Sequence, residues 1–190
     1  FDGMPEEIAQ SPQLRAAFRK SIEYKLDKHW GNNQHGFMSF GLVQLGQAAT
    51  SLGEGELAYH CLRHLVNRFW LNNLASMHNH RSLFNMDISG GMPAVIIKML
   101  VASDVGKIQL LPALPAAWPR GRVAGLRARG GYMLDVAWAE HRPVRLVLHA
   151  ARGGRCRLAC TGAAAARLAC GRTVLKADRR HTDWIEFDTR

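Results

Sequence analysis

Apolar residues recur with helical spacing through the first hundred residues of the chain. The pair Ser11-Pro12 is typical of a helix N-cap followed by proline in the first turn, and it predicts a helix that continues to about His29. The apolar positions of this helix are four residues apart: Leu14, Phe18, Ile22 and Leu26.

Three further helices are predicted, over about residues 37–52, 56–70 and 92–102. In the first of these, Phe40, Val43 and Gln47 have helical spacing. The turn Gly53-Glu54-Gly55 would join it to the next as an antiparallel helical hairpin. We expect Pro93 in the first turn of the last helix, because proline is tolerated there and not in a helix interior.

From Lys107 onward the hydrophobic pattern changes to a period of two, which is typical of antiparallel strands. Turns are predicted at Gly130-Gly131, at residues 141–143 and at Gly153-Gly154, and short strands at 173–176 and 184–187. Helices followed by strands, without alternation, predict an α+β chain in two units, 1–105 and 106–190.

Charge divides the chain at nearly the same place. Residues 1–106 carry nine basic and nine acidic side chains, whereas residues 107–190 carry sixteen and six, so the second part holds the whole net charge of +10. Its arginines are mostly single and lack interleaved aromatic rings, which favours a solvated strand surface over nucleic-acid binding. No stretch approaches the roughly 20 apolar residues of a membrane span, and Phe1-Asp2-Gly3 is neither an initiator methionine nor a signal sequence. We expect a piece of a longer protein.

Candidate chemistry concentrates between two of the predicted helices. Asp87 lies there, and it could point into a cleft or simply stabilise a helix start through backbone N–H groups. His78, His80 and Arg81 could line a sugar cleft through hydrogen bonds. His60 and His64 are spaced as metal ligands can be, but the supporting glutamate of that motif is absent, so we expect no metal site.

The four cysteines, Cys61, Cys156, Cys160 and Cys170, are predicted to be small buried hydrophobic residues, with a disulfide among the last three as the alternative. Motifs for acyl transfer, nucleotide hydrolysis and dinucleotide binding are missing from the sequence.

Three segments resemble glycoside hydrolase family 95, which contains alpha-L-fucosidases and some alpha-galactosidases. The first runs from Ile108-Gln109-Leu110-Leu111-Pro112 through Trp118-Pro119 to Gly130-Gly131-Tyr132, and the second is Leu52-Gly53-Glu54-Gly55-Glu56. The third, Phe84-Asn85-Met86-Asp87-Ile88-Ser89-Gly90-Gly91, takes the place of the family segment Phe-Gln-Ile-Asp-Gly-Asn-Phe-Gly-Gly. It departs from that segment at Asn85 and at residues 88–90.

The resemblance implies the last helices of an (α/α)6 catalytic barrel, followed by an antiparallel, β-sandwich-like domain. Family members invert configuration, using a Glu as general acid and an Asn, polarised by an Asp, to activate water. Asp87 is then the implied catalytic residue, and Asn85, near the expected cleft, joins His78, His80 and Arg81 as a candidate substrate-binding residue. The general acid and the asparagines would lie upstream of Phe1, so this piece alone is expected to be inactive.

The implied activity is removal of terminal alpha-L-fucose from glycans without a metal or organic cofactor. The expected partners are the glycan and the rest of the same polypeptide, with no nucleic acid and no membrane. Family members are often extracytoplasmic or secreted, and the sequence itself leaves the compartment open. The alternatives are an alpha-galactosidase or another helical-barrel carbohydrate enzyme, and a non-catalytic carbohydrate-binding module.

Overall fold

The computed structural model describes residues 6–31, 38–79, 82–160, 168–170, 173–175 and 178–189. Five helices lie in the first part: α1 Glu6–Gln10, α2 Pro12–Gly31, α3 Ser39–Leu52, α4 Gly55–Phe69 and α5 Asp87–Leu100. A two-stranded hairpin of β1 Met77–Asn79 and β2 Ser82–Phe84 precedes α5. The remaining strands are β3 Val101–Asp104, β4 Lys107–Leu110, β5 Arg120–Ala128, β6 Tyr132–Ala139, β7 Arg142–Ala150, β8 Arg155–Ala159, β9 Leu168–Cys170, β10 Thr173–Leu175, β11 Arg179–His181 and β12 Trp184–Asp188.

The chain is therefore α+β, and it forms two compact units. One contains the residues up to Met99 together with Ala113–Pro115, and the other contains Leu100–Pro112 and the residues from Ala116 onward. Among the helices described, none combines the length and the apolar character that a membrane span requires.

The helical unit is built on the hairpin of α3 and α4, as the sequence predicts. Gly53, with φ of 77°, ends α3 in the left-handed conformation that glycine adopts without strain, and its N–H bonds back to the last turn. Arg15 of α2 donates a 2.7 Å hydrogen bond to the Leu52 carbonyl at the same helix end. The turn thus satisfies carbonyl groups that the helix itself leaves unpaired.

Helical spacing predicts the positions of the helices better than it predicts which of their side chains are buried. Ile22 and Leu26 of α2 are buried, whereas Leu14 and Phe18 are exposed. On α3 the residues with helical spacing do not share one buried face: Val43 is buried, whereas Phe40 is 43% exposed. The face that packs inward instead contains Leu42, Val43, Leu45, Gly46 and Ala49. Its small residues allow the neighbouring helices to approach closely.

The predicted start of the last helix is also wrong. Helix α5 begins at Asp87, five residues before the predicted start, and Pro93 lies inside it. Residues 101–104, which include the predicted helix end, form a strand. Burial of Ile88 and Val95 holds the segment in helical form although proline removes one backbone hydrogen bond.

The second unit contains a three-stranded antiparallel sheet, β5–β6–β7, and a five-stranded sheet of order β11–β12–β8–β4–β3. The expectation of purely antiparallel strands is wrong for one pair, since β4 and β8 run parallel in the five-stranded sheet. That sheet is therefore mixed. On β6 the predicted alternation is confirmed, because Tyr132, Leu134, Val136 and Trp138 are all buried.

An ion-pair network lies in the five-stranded sheet. Glu186 is only 5% exposed. Its carboxylate is 3.1 Å from the guanidinium of Arg157 and 3.4 Å from that of Arg155. Arg157 also lies 4.5 Å from the centre of the Trp184 ring, within the range of a cation–π interaction. Two cations thus compensate one buried carboxylate.

Cys61 and Cys156 are free and fully buried, as predicted, and Cys160 is free and partly exposed. The disulfide alternative is wrong for Cys156 and Cys160. The side chain of Cys170 lies outside the described residues.

Candidate active site

The first turn of α5 carries the carboxylate that the sequence singles out. Asp87 is the first residue of α5, so its negative charge lies at the positive end of the helix dipole. Its side chain is exposed, and carboxylate oxygen Oδ1 has no hydrogen-bond partner within the described part of the chain. Asp87 thus lies at a helix start, but no backbone N–H of the described residues donates to its carboxylate, and one oxygen is available to a further donor.

Asn85 holds this carboxylate in place. Its Nδ2 donates a 2.9 Å hydrogen bond to Asp87 Oδ2, and its Oδ1 accepts a hydrogen bond from the backbone N–H of Asp87. Rotating the amide by half a turn would place an oxygen against the carboxylate and an NH2 group against an N–H donor. The two contacts therefore fix the orientation of the amide.

The fixed amide also determines the tautomer of His78. Asn85 Nδ2 lies 2.7 Å from His78 Nδ1 and can only donate, so Nδ1 accepts the bond. The proton of the neutral imidazole is then on Nε2. His78, on β1, Asn85 and Asp87 form one connected row in which His78 retains an N–H donor for a ligand.

Two serines that the sequence analysis did not select for the site connect the hairpin to the helix. Ser76 is 1% exposed, and its hydroxyl donates to the Asn85 carbonyl and lies 3.0 Å from Ser89 Oγ. The Asn85 N–H donates in turn to the Ser76 carbonyl at 2.9 Å. Spacings of nine and thirteen residues gave no sequence signal because the β1–β2 hairpin was not predicted.

Glycine allows α5 to lie close against α3. A Cβ atom added at Gly91 would be 2.6 Å from Val43 Cγ1, and one at Gly46 would be 3.2 Å from Val95 Cγ1. Gly91 is one helical turn after Asp87, so this close approach sets the position of the turn that carries the carboxylate. At the adjacent Gly90 an added Cβ would meet nothing within 4 Å.

The structure brings together three of the five predicted site residues: His78, Asn85 and Asp87. His80 and Arg81 lie outside the described residues. Large apolar side chains near this row are exposed, with exposed fractions of 67% for Phe84 and 73% for Met86. Exposed apolar clusters of this kind mark binding surfaces or surfaces that another segment covers.

The two histidines considered as metal ligands do not share an environment. His60 is exposed, whereas His64 on the same helix is 2% exposed. Within the residues that the structure describes, no three His, Cys, Asp or Glu side chains converge as metal ligands do.

Burial also keeps Cys61 and Cys156 in their neutral form. It raises the pKa of the Cys61 thiol to about 12 and that of Cys156 to about 11, although a hydrogen bond with Tyr132 works against the effect at Cys156. Since a thiolate is the reactive form, neither cysteine is a candidate nucleophile.

Comparison with known proteins finds similarity to glycosidases. Residues 102–190 match the model of the glycoside hydrolase family 95 C-terminal domain. The chain is 33% identical over 149 residues to Alpha-L-fucosidase 2 of Arabidopsis thaliana, an alignment that covers 74% of this chain and 17% of that protein. It is also 38% identical over 65 residues to Probable alpha-fucosidase A of Aspergillus oryzae, covering 29% of this chain and 9% of the relative.

A third relative, Probable alpha-fucosidase A of Aspergillus niger, is 32% identical over 94 residues, which cover 44% of this chain and 12% of the relative. The chain thus spans less than a fifth of the length of each of these relatives. The match begins at Ala102, close to where the second compact unit begins, and it continues to Arg190. Residues 102–190 therefore match the C-terminal domain of glycoside hydrolase family 95.

Proposed function

We propose that this chain is part of an inverting exo-glycosidase that removes terminal alpha-L-fucose from glycans, and that Asp87 polarises the asparagine that activates the attacking water. The family and the names of the three relatives support a fucosidase. The observation that carries the role of Asp87 is its hydrogen bonding: Asn85 holds Oδ2 at 2.9 Å while Oδ1 remains available.

The proposed chemistry uses that available oxygen. An asparagine from another part of the complete protein donates its amide N–H to Asp87 Oδ1, which increases electron density on the amide oxygen. That oxygen then accepts a proton from water as the water attacks the anomeric carbon, while a glutamate on the opposite side protonates the leaving oxygen. Asp87 acts only as a hydrogen-bond acceptor in this scheme, and this bond stabilises the proton-accepting amide.

His78 is the substrate-binding residue that the geometry supports best. With Nδ1 accepting from Asn85, its Nε2–H can donate to a sugar hydroxyl. Asn85 already uses both ends of its amide on Asp87 and His78, so we assign it a positioning role instead of direct sugar contact. The roles of His80 and Arg81 remain proposals from the sequence.

The exposed apolar faces of the helical unit support the proposed barrel. Phe18 is 45% exposed, Phe40 43% and Val66 50%, although all three lie on helices that also have buried faces. We propose that residues 1–105 complete an (α/α)6 barrel with the rest of the same polypeptide, and that residues 106–190 form a β-sandwich-like domain. The piece alone then lacks the general acid and is inactive. The scheme needs no metal or organic cofactor, no nucleic acid and no membrane.

The experiment is hydrolysis of an aryl alpha-L-fucoside by the complete protein, followed by proton NMR of the released sugar. We expect beta-L-fucose as the first product, before mutarotation, and no turnover by the 190-residue chain alone. A matched aryl alpha-galactoside serves as the competing substrate. First appearance of alpha-L-fucose would contradict inversion, and preference for the galactoside would contradict the fucosidase assignment.

A further inference from the structure

The strand register collects five arginines on one face of the β5–β6–β7 sheet. On β6 the residues that alternate with the buried set are Met133, Asp135, Ala137 and Ala139. Directly paired residues of antiparallel strands lie on the same face. The pairing therefore gives three rows across this face: Arg120–Ala139–Arg142, Arg122–Ala137–Arg145 and Arg127–Met133–His149. We call these five arginines the arginine face.

Two β-bulges bring two of these arginines to the face. The register of β5 shifts between Val123 and Leu126, and that of β7 shifts where Ala137 is followed by Trp138. A bulge adds one residue and so reverses the alternation beyond it. Strict alternation from Arg122 would turn Arg127 inward, and strict alternation from Arg145 would place Pro143 on the face instead of Arg142.

The positive charge of this face is largely uncompensated among the residues that the structure describes. All five arginines are exposed, and none forms an ion pair in the part of the chain that the structure describes. One carboxylate lies on this face between the second and third rows: Asp135, paired with Val147, accepts a 2.9 Å hydrogen bond from the Gly125 N–H and lies 3.6 Å from His149 Nε2. Its charge is engaged chiefly by Gly125 and His149, and among the five arginines by Arg122, which adds a smaller electrostatic attraction.

The arrangement suits an extended anionic polymer. In the first two rows an arginine lies on each side of the central strand β6, and the two arginines of a row are about 10 Å apart, which is two strand spacings. These two rows are about 7 Å apart along the strands. The small side chains of Ala137 and Ala139 lie between the arginines of these two rows. Each guanidinium can bind a carboxylate through two parallel hydrogen bonds. The rows contain no Phe, Tyr or Trp side chain on which a nucleic-acid base could stack.

We propose that the arginine face binds a polysaccharide that bears carboxylate groups and so holds the enzyme on an acidic glycan. The choice of a glycan as the polyanion rests on the proposed function. The binding surface itself is independent of the active-site residues, since His78, Asn85 and Asp87 belong to the other unit.

The test measures binding of the complete protein to polygalacturonate, with fully methyl-esterified polygalacturonate as the neutral counterpart. We expect binding to the first and at least tenfold weaker binding to the second. The double variant Arg122→Gln/Arg145→Gln should weaken binding to polygalacturonate about tenfold or more. Lys20→Gln/Arg63→Gln removes the same charge from exposed positions on α2 and α4, and it should change binding less than twofold.

Equal loss in both double variants, equal binding of the esterified polymer, or no binding at all would overturn the proposal. Tighter binding to a DNA duplex at equal charge concentration would overturn it in favour of a nucleic-acid surface. Hydrolysis of an aryl alpha-L-fucoside, measured on the same samples, should be unchanged in both variants. If the unmodified protein binds polygalacturonate but does not hydrolyse the aryl alpha-L-fucoside, only the proposed function is overturned.

Discussion

The side-chain amide of Asn85 forms two hydrogen bonds with Asp87: it donates to the carboxylate at 2.9 Å and accepts from the backbone N–H. One side chain thus caps the start of α5 and fixes the direction in which the Asp87 carboxylate points. A catalytic carboxylate that acts through another group needs that direction to be held, because polarisation of an amide depends on hydrogen-bond geometry.

We predict that Asn85→Leu in the complete protein lowers kcat for an aryl alpha-L-fucoside about 10- to 150-fold and leaves KM nearly unchanged. The expected size follows from the roughly 1.5–3 kcal/mol of a hydrogen bond to a charged group. Steady-state kinetics separates the two constants. Asn67→Leu, at an exposed position on α4, is the control. A rise in KM with unchanged kcat would instead make Asn85 a sugar-contacting residue.

The paired glycines of α5 give a test of the packing that positions the site. Gly91→Ala forces a Cβ against Val43, whose two γ-carbons both lie within 2.8 Å of it, so we expect a loss of about 1–3 kcal/mol in unfolding free energy. Gly90→Ala meets no neighbour and should stabilise the helix by about 0.5–1 kcal/mol. Urea denaturation of both variants measures the difference, and equal effects would contradict the close approach of α3 and α5.

Asp135 predicts a pH-dependent contribution to stability. The hydrogen bond from the Gly125 N–H lowers the pKa of this carboxyl below its ordinary value of 3.8, partial burial opposes the shift, and His149 adds to it. A group whose folded-state pKa is depressed stabilises the fold above its unfolded pKa, and loses that contribution as pH falls through the folded value.

Asp135→Asn should therefore lower the melting temperature at about pH 7, and the difference from the unmodified protein should shrink as pH falls below about 4. Asp183→Asn, at an exposed turn position, is the control and should show little difference at either pH. A difference for Asp135→Asn that stays constant with pH would mean that packing, not charge, is responsible.

The two fully buried cysteines should resist alkylation. At about pH 8, a thiol with a pKa near 12 or 11 has almost no thiolate, and Cys61 and Cys156 are also inaccessible. Peptide mapping after iodoacetamide treatment should find both unmodified in the folded protein and both modified in concentrated urea. Rapid labelling of Cys61 without denaturant would contradict its buried position.

Periodicity predicted the elements better than their faces. The helical hairpin, the alternation on β6 and the α+β class all follow from spacing that is local in sequence. The start of α5 and the exposed Phe40 do not, since they depend on which neighbouring surface each residue meets. The position of Pro93 predicts a later helix start, but α5 begins at Asp87 because burial of Ile88 stabilises the earlier turn.

Within the site, candidate residues can be predicted from the sequence, but the hydrogen bonds between them cannot. Asp87 could be selected from its position and from the family resemblance, but the row from His78 through Asn85 depends on a short hairpin with no glycine or proline turn signal. The arginines of β5 and β7 were similarly visible as single residues. Their common face depends on two bulges, which alternation alone cannot place.

The most direct test of the account is the turnover number of the Asp87→Asn variant of the complete protein on an aryl alpha-L-fucoside. We predict a loss of about 100-fold or more, the contribution typical of an acid–base group, with KM and melting temperature changed little. Asp27→Asn, an equivalent substitution at an exposed position on α2, should have normal kcat. Near-normal hydrolysis by Asp87→Asn would contradict the proposed role of Asp87.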